Sequence, residues 1–265
     1  MRVYGSDAIR NVAFVGHGGS GKTTLVDALA FVSGASRRHG NIKDGTTLTD
    51  YTPDEIARQH SISLGLAYAE WMDTKLNLLD TPGYLDFFGE VVTGLHAADA
   101  AVVVVSGVSG VEVGTEKAWE VCDRLHLPRL IFVGQMDKEH ANFERVFADV
   151  KAHLSPKVLP VEVPIGEGST FRGIVNLFSG KSHIYKPGTK SGEYDEVEVP
   201  AEHQAEVKKY SDLLIETVAA TDDALIERYL GGEEIPREEV IAALKTAVAA
   251  GSIVPLFVGS ATLTF

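Results

Sequence analysis

Residues Asn11–Thr24 read NVAFVGHGGSGKTT. The apolar run Val12–Val15 breaks into Gly16-His17-Gly18-Gly19-Ser20-Gly21-Lys22-Thr23, a match to GxxxxGK[ST]. It lies between an expected buried strand and an expected helix over Thr24–Phe31, the setting that the phosphate-loop mechanism requires. Glycines let main-chain N–H groups curl round a phosphate with no Cβ in the way, and the following helix turns its positive dipole end toward the anion. Lys22 supplies a point charge for the outer phosphates and the Thr23 hydroxyl a ligand for Mg²⁺, with Thr24 completing the cradle. A glycine-rich turn with a surface lysine is the plain alternative. Strand, loop and helix agree, so the reading is a nucleoside-triphosphate site.

Composition narrows the rest. At 265 residues the chain can bury one large core or two modest ones, and 45% hydrophobic with 23% charged residues is ordinary for a globular protein. No apolar stretch reaches membrane-spanning length, and the start MRVYGSDAIR lacks the apolar centre of a signal peptide, so a cytoplasmic protein is expected. The single cysteine, Cys122, excludes an internal disulfide and any cysteine-cluster metal site; on an expected helix it reads as packing. A net charge of −13 argues against a surface that grips nucleic acid throughout, though a local basic face or a basic protein partner stays open.

Along the chain, Ser33–Gln59 is polar and without period, a long irregular segment of the kind that is usually functional. Ser61–Trp71 and Lys75–Leu79 read as a strand pair joined by Met72-Asp73-Thr74. The second strand runs into Asp80-Thr81-Pro82-Gly83. An acid at a strand end followed by a glycine is how phosphate-loop switches sense the γ-phosphate, the acid through Mg²⁺ and the glycine through its amide. Ala100–Ser106 is a continuous β-branched run, as for a parallel strand covered on both faces; Gly114–Leu125 reads as a helix and Arg129–Val133 as another buried strand. This alternation predicts an α/β fold, a doubly wound, mostly parallel sheet whose ligand lies at the carboxyl ends of the strands.

From about Pro156 the texture changes to short strands (Val158–Val163, Phe171–Val175, Lys181–Tyr185), a polar hairpin or loop over 187–194, and helices over Ala201–Ala220, Asp222–Tyr229 and Pro236–Ala249. Strand Ile253–Val258 then resumes the α/β pattern before Gly259-Ser260-Ala261. The expected division is a core of residues 1–155, an inserted α+β subdomain over 156–250, and a return to the core over 251–265. The insert's helices are rich in acids, among them Glu233, Glu234, Glu238 and Glu239. A solvated face and a landing site for a basic partner are both consistent with them.

The ordered set GHGGSGKTT, RQHSI, DTPGYLDF, GQMDKEHANF and GSA resembles the translational GTPases, and specifically elongation factor G and its bacterial elongation factor G-like paralogues. The likeness runs on through KDGTTLTDYTPDE and PVEVPIG…FRGIVNL, and so spans essentially the whole chain. It implies a GTP- and GDP-binding domain with Mg²⁺. Lys22 and the loop amides would hold the phosphates, and Thr23, Ser61 and Asp80 would serve the metal. Asp80 and Gly83 would form the second switch, while Gln135, Asp137, Ser260 and Ala261 would meet guanine. The resemblance also implies a ribosomal partner, on the large subunit and its stalk proteins through the acidic insert. No membrane and no sequence-specific nucleic acid are expected, and the chain is expected to be a monomer. The family continues past this point with a further helix and several domains, so an N-terminal fragment of a longer protein is expected.

The departures matter as much. The family's catalytic histidine is Tyr84, and the two apolar residues that gate it are Gly18 and His60. The loop aspartate is Gly19, which puts the family's bound monovalent cation in question. The guanine motif NKxD is reduced to Gly134-Gln135-Met136-Asp137. Hydrolysis is therefore expected to be slow without a partner, with Lys22, Gly83, Tyr84 and His60 as the candidate catalytic set. A GTP-binding switch or ribosome-binding module with little hydrolysis is the alternative. A small-molecule kinase is disfavoured, since nothing reads as an acceptor site.

Overall fold

The computed structural model describes residues 3–186, 189 and 192–265. Its centre is a seven-stranded sheet in the order β2-β3-β1-β4-β5-β11-β6, parallel throughout except for β2. The β-branched runs account for this. In β1 (Ile9–Val15) and β4 (Ala100–Ser106) successive side chains alternate between two buried faces. Phe14, Val102 and Val104 pack with Leu25 and Val26 of α1 (Lys22–Val32) on one face. Ala13, Val15, Val103 and Val105 face the other side, under α3 (Phe88–His96), α4 (Val113–Arg124) and α5 (Phe143–His153). Cys122 of α4 is fully buried in that second cluster. Strands β2 (Gly65–Trp71) and β3 (Thr74–Asp80) form the expected hairpin; Met72 and Asp73 both take positive φ, the backbone of a two-residue turn that matches the twist of the strands.

Two segments differ from expectation. The polar stretch 33–59 is not irregular throughout, because Thr52 and Glu55 form a reciprocal capping box with Pro53 at the first position of a helix, α2 (Pro53–Arg58), which Gln59 ends in the left-handed region. The strand expected from Ser61 begins only at Gly65. Residues 61–64 have no ladder, and side chains take their amides instead, as described below.

After β5 (Arg129–Gly134) and α5 the chain makes β6 (Val158–Pro160), which pairs with β11 (Val254–Val258) at the edge of the main sheet. The apolar run Val158–Val163 is thus split. Its first half belongs to the main sheet and its second begins β7 (Glu162–Ile165), so the chain leaves the core after Pro160, later than residue 156. β7, β8 (Gly173–Asn176), β9 (Lys181–Tyr185) and β10 (Tyr194–Glu198) form an antiparallel sheet. Within the loop or hairpin expected over 187–194, residues 187, 188, 190 and 191 lie outside the described residues. Three helices follow: α6 (Gln204–Ala219), α7 (Asp223–Leu230) and α8 (Arg237–Ala249). The Tyr210 ring of α6 stands edge-on to Phe143 and Phe147 of α5, at 6.0 and 5.9 Å between centroids. The insert therefore has no separate core: Val207, Tyr210 and Leu214 share one cluster with α5 and the sheet. Among the described residues no helix is long and apolar enough to cross a membrane.

Candidate functional site

The loop between β1 and α1 opens at the carboxyl end of the sheet, where a doubly wound fold presents its ligand crevice. Gly16, Gly19 and Gly21 all adopt positive φ, and a Cβ on Gly16 would run into the Val104 carbonyl. Lys22, the first residue of α1, is only 5% exposed, and its ammonium donates to the Gly16 and His17 carbonyls at 3.0 and 2.8 Å. Burial lowers its pKa to about 8, against the pull of Asp80, Asp50 and Glu112. Gly18–Thr24 line one wall of the cleft; Ser20 is buried, with a hydroxyl that meets no partner. His17 turns away toward α4, where Nδ1 accepts from the Gly114 amide at 3.2 Å and Nε2 lies 3.6 Å from Glu112.

Opposite the loop stand the two predicted switch segments. The Thr23 and Ser61 hydroxyls are 3.1 Å apart. Asp80, fully buried at the end of β3, accepts from Thr49 Oγ1 at 2.6 Å while its second oxygen has no partner. Burial pushes its carboxyl up to about 6. Gly83 is packed so closely that a Cβ would strike Lys22 Nζ and the Gly18 backbone. The Tyr84 ring lies over Gly18, where an added Cβ would sit 3.0 Å from it. The His60 ring lies against Tyr84, tilted by 56° with 4.7 Å between ring centroids, its Nδ1 3.2 Å from the Ser61 carbonyl.

At the far end of the cleft, Gln135 is left-handed (φ 63°); its amide nitrogen donates to the Gly19 carbonyl and its oxygen accepts from Ser106 Oγ, both at 2.8 Å. Gln135, Lys138, Ala261 and Thr262 line the cleft with Gly134. Asp137 does not line it directly; one of its oxygens is buried without a partner, beside a second cavity that includes Glu139, His140 and Glu167. Ser260 is fully buried, its amide donating to the Phe265 carbonyl at 2.6 Å. Among the residues expected to meet the base, the structure brings Gln135 and Ala261 into the cleft and leaves Asp137 and Ser260 outside its lining.

The model of the elongation factor Tu GTP-binding domain matches residues 7–265. The chain belongs to that family. Consistent with this, a solved crystal structure of a protein from Thermus thermophilus is 40% identical over 97% of the chain and superposes with a TM-score of 0.89. The chain spans 38% of the length of that protein.

Reading the sequence missed several residues that frame the cleft of this GTP-binding domain. Asp50 is 4% exposed with neither carboxylate oxygen bonded, and burial raises its pKa. Glu55 is 2% exposed; its carboxylate accepts from Thr52 N and Oγ1, Ile62 N and Ser63 N. Burial pushes that carboxyl up, but the donors outweigh it and leave it below the usual range. Asp27 of α1 is 1% exposed and accepts from the Gly40 amide and from the Leu48 amide at 3.0 Å. The capping-box pattern Thr52-Pro53-Asp54-Glu55 was a signal for Glu55; Asp27 and Asp50 carry none, because their surroundings are set by folding of distant residues.

Proposed function

We propose that this chain is the GTP-binding and GTP-hydrolysing domain of an elongation factor G-like protein that acts with the ribosome in translation, in the cytoplasm and as a monomer. One observation carries the reading: Lys22, Thr23, Ser61 and Gly83, from three separate stretches, converge on one cleft at the carboxyl end of the sheet, with Asp80 buried at the end of β3.

The residues fit Mg²⁺. A hard cation takes oxygen ligands, and here two hydroxyls 3.1 Å apart stand beside buried carboxylate oxygens of Asp80 and Asp50 that have no partner. Thr23 and Ser61 would ligate the ion, with Asp80 and Asp50 behind them. Bound there, Mg²⁺ neutralises charge on the phosphates. Lys22 would add a second positive charge, and the loop amides and the Gly83 amide, packed against Lys22, would donate to phosphate oxygens. Guanine would lie between Gln135, Lys138 and Ala261, with Asp137 and the loop of Ser260 behind that lining and meeting the base only on turning into the cleft.

Chemistry at the γ-phosphate is where this chain departs from the pattern it resembles. Tyr84 stands where the resembled family has its catalytic histidine, and the His60 ring lies against it, tilted, with 4.7 Å between centroids; a phenol is in general a poorer acid–base group than an imidazole. Slow turnover that rises with a partner follows. Tyr84 at that position also favours a second reading, a GTP switch with little hydrolysis. For the partner, Arg228 draws in Glu233 and Glu239, which leaves Glu234 and Glu238 as the open acids for a basic stalk protein.

Calorimetric titration tests the binding: GTP with Mg²⁺ should bind, ATP should bind more weakly, and Lys22→Ala should abolish both. Equal affinity for ATP and GTP would refute a guanine site. Steady-state turnover with and without ribosomes then separates the two readings. In the first, His60→Ala loses about tenfold or more while Tyr84→Phe is spared; in the second, neither variant changes a near-zero rate.

A further inference from the structure

Residues 61–64 carry the backbone past the cleft without a strand partner, yet three successive amides are satisfied by carboxylates. Ile62 N and Ser63 N donate to Glu55 Oε1 at 3.1 and 3.2 Å. Leu64 N donates to Glu90 Oε2 at 2.8 Å. The two acids differ in origin. Glu55 sits on α2, seven and eight residues upstream, and folds 52–63 into one local body. Glu90 belongs to α3, soon after Gly83 and Tyr84, and reaches back 26 residues.

The side chain of Leu64 is seated on the same helix. Gly94 lies one turn after Glu90 on the same face of α3, and a Cβ there would come within 3.2 Å of Leu64 Cδ1 and 3.0 Å of Thr81 Cγ2. Gly94 is therefore the notch for Leu64 and Glu90 its anchor. At the other end of the body, Thr49 Oγ1 donates to Asp80. Segment 49–64 is thus fastened at both ends to the stretch that runs from Asp80 to Glu90, and Gly83 lies between the two fastenings.

We propose that Glu90 is a positioning residue that couples the two switches, holding 49–64 against the cleft so that Ser61 meets Thr23 only while α3 keeps its place. A shift of the 80–90 stretch then releases 49–64 as one body, because Glu55 keeps that body folded while its outer anchors let go. This rests on reading 49–64 and 80–84 as the switches of a GTP site; the coupling itself is testable in the chain without nucleotide.

The experiment is amide hydrogen exchange on the chain alone and with GDP and Mg²⁺, for the wild type, Glu90→Ala and Glu90→Gln. Losing the acceptor in Glu90→Ala should speed exchange about tenfold or more at Leu64 and also at Leu48, whose amide Asp27 holds at the other end of the body, while Ile62 and Ser63 stay protected by Glu55. Glu90→Gln keeps an acceptor oxygen and should restore much of the protection, which a merely space-filling role would not require. Gly94→Val leaves Glu90 in place but closes the notch, and should give the same pattern; it serves if Glu90→Ala folds poorly. Faster exchange confined to Leu64, or none in either variant, would overturn the coupling. Failure of GDP to bind would instead count against the GTP site and leave the exchange result on the free chain to stand.

Discussion

Carboxylates do opposite work in two regions of this molecule. Around residues 40–64 they are buried or half-buried and accept from main-chain amides: Asp27 from Gly40 and Leu48, Glu55 from Thr52, Ile62 and Ser63, Glu90 from Leu64. In the insert they are exposed and meet side-chain cations: Glu198 with Lys181, Asp195 with Lys186, Glu233 and Glu239 with Arg228, Asp212 with Lys208. A carboxylate accepting buried N–H groups fixes where the backbone runs, because an orphaned amide is expensive. An exposed ion pair exchanges one hydrated arrangement for another and fixes little. Acids near the cleft therefore set geometry, and those of the insert set the charge of its surface.

The sharpest way to break this contrast is Asp27→Ala. It removes two charge-assisted hydrogen bonds and leaves two amides in a buried place, so unfolding in urea should show a loss of about 3 kcal/mol or more. A loss under about 1 kcal/mol would mean that the loop 40–48 is not held by this acid.

Glu162 is the intermediate case, since it lies at the seam between β7 and the main sheet with the Val258 amide as its donor. Burial pushes its carboxyl from 4.5 up to about 7. A raised acid works against the fold as pH rises: the unfolded chain gives up the proton near 4.5, the folded one holds it until about 7, and the penalty is complete above that. Glu162→Gln should be neutral at pH 4 and stabilising by about 1–3 kcal/mol at pH 8, read from denaturation midpoints at both pH values. A constant difference would show that the surroundings of Glu162 do not hold its proton in the folded chain.

The smallest effect belongs to the exposed network. Arg228→Ala should leave the melting midpoint at the wild-type value, and it frees Glu233 and Glu239. If the insert recruits a basic partner, association should quicken at low salt and the gain should vanish near physiological ionic strength, where exposed charges are screened beyond about 8 Å. A lowered midpoint would place these acids with those around residues 40–64.

Much of the fold could be read in advance because its signals are contiguous. The phosphate loop, the runs Ala100–Ser106 and Arg129–Val133, and the acid at the end of β3 each declare themselves within a few residues. Helix α3 does not: Phe87 at its start offers no side-chain cap, and it follows a short 3₁₀ turn, Leu85–Phe87, that masks its period. The split of Val158–Val163 between two sheets is equally invisible, since an apolar strand looks the same whichever sheet it joins. In the cleft, Lys22 and Thr23 were legible from their own motif. Asp50 and Glu90 were not, because what makes them matter is a buried setting or an amide 26 residues away.

The pairing of β6 with β11 has a mechanical consequence. The chain leaves the core at Pro160 and re-enters at Val254, and these strands run side by side in register, Val158 beside Val254 and Pro160 beside Leu256. A pull on the far end of the insert is thus borne by two parallel strands loaded lengthwise, so their hydrogen bonds resist together in shear instead of opening one by one. β11 is also bonded to β5 on its other side, and it ends at Gly259-Ser260-Ala261. Between the turn that closes α8, with Gly251 in the left-handed region, and Gly259, the chain is one short rod of five residues, about 17 Å long.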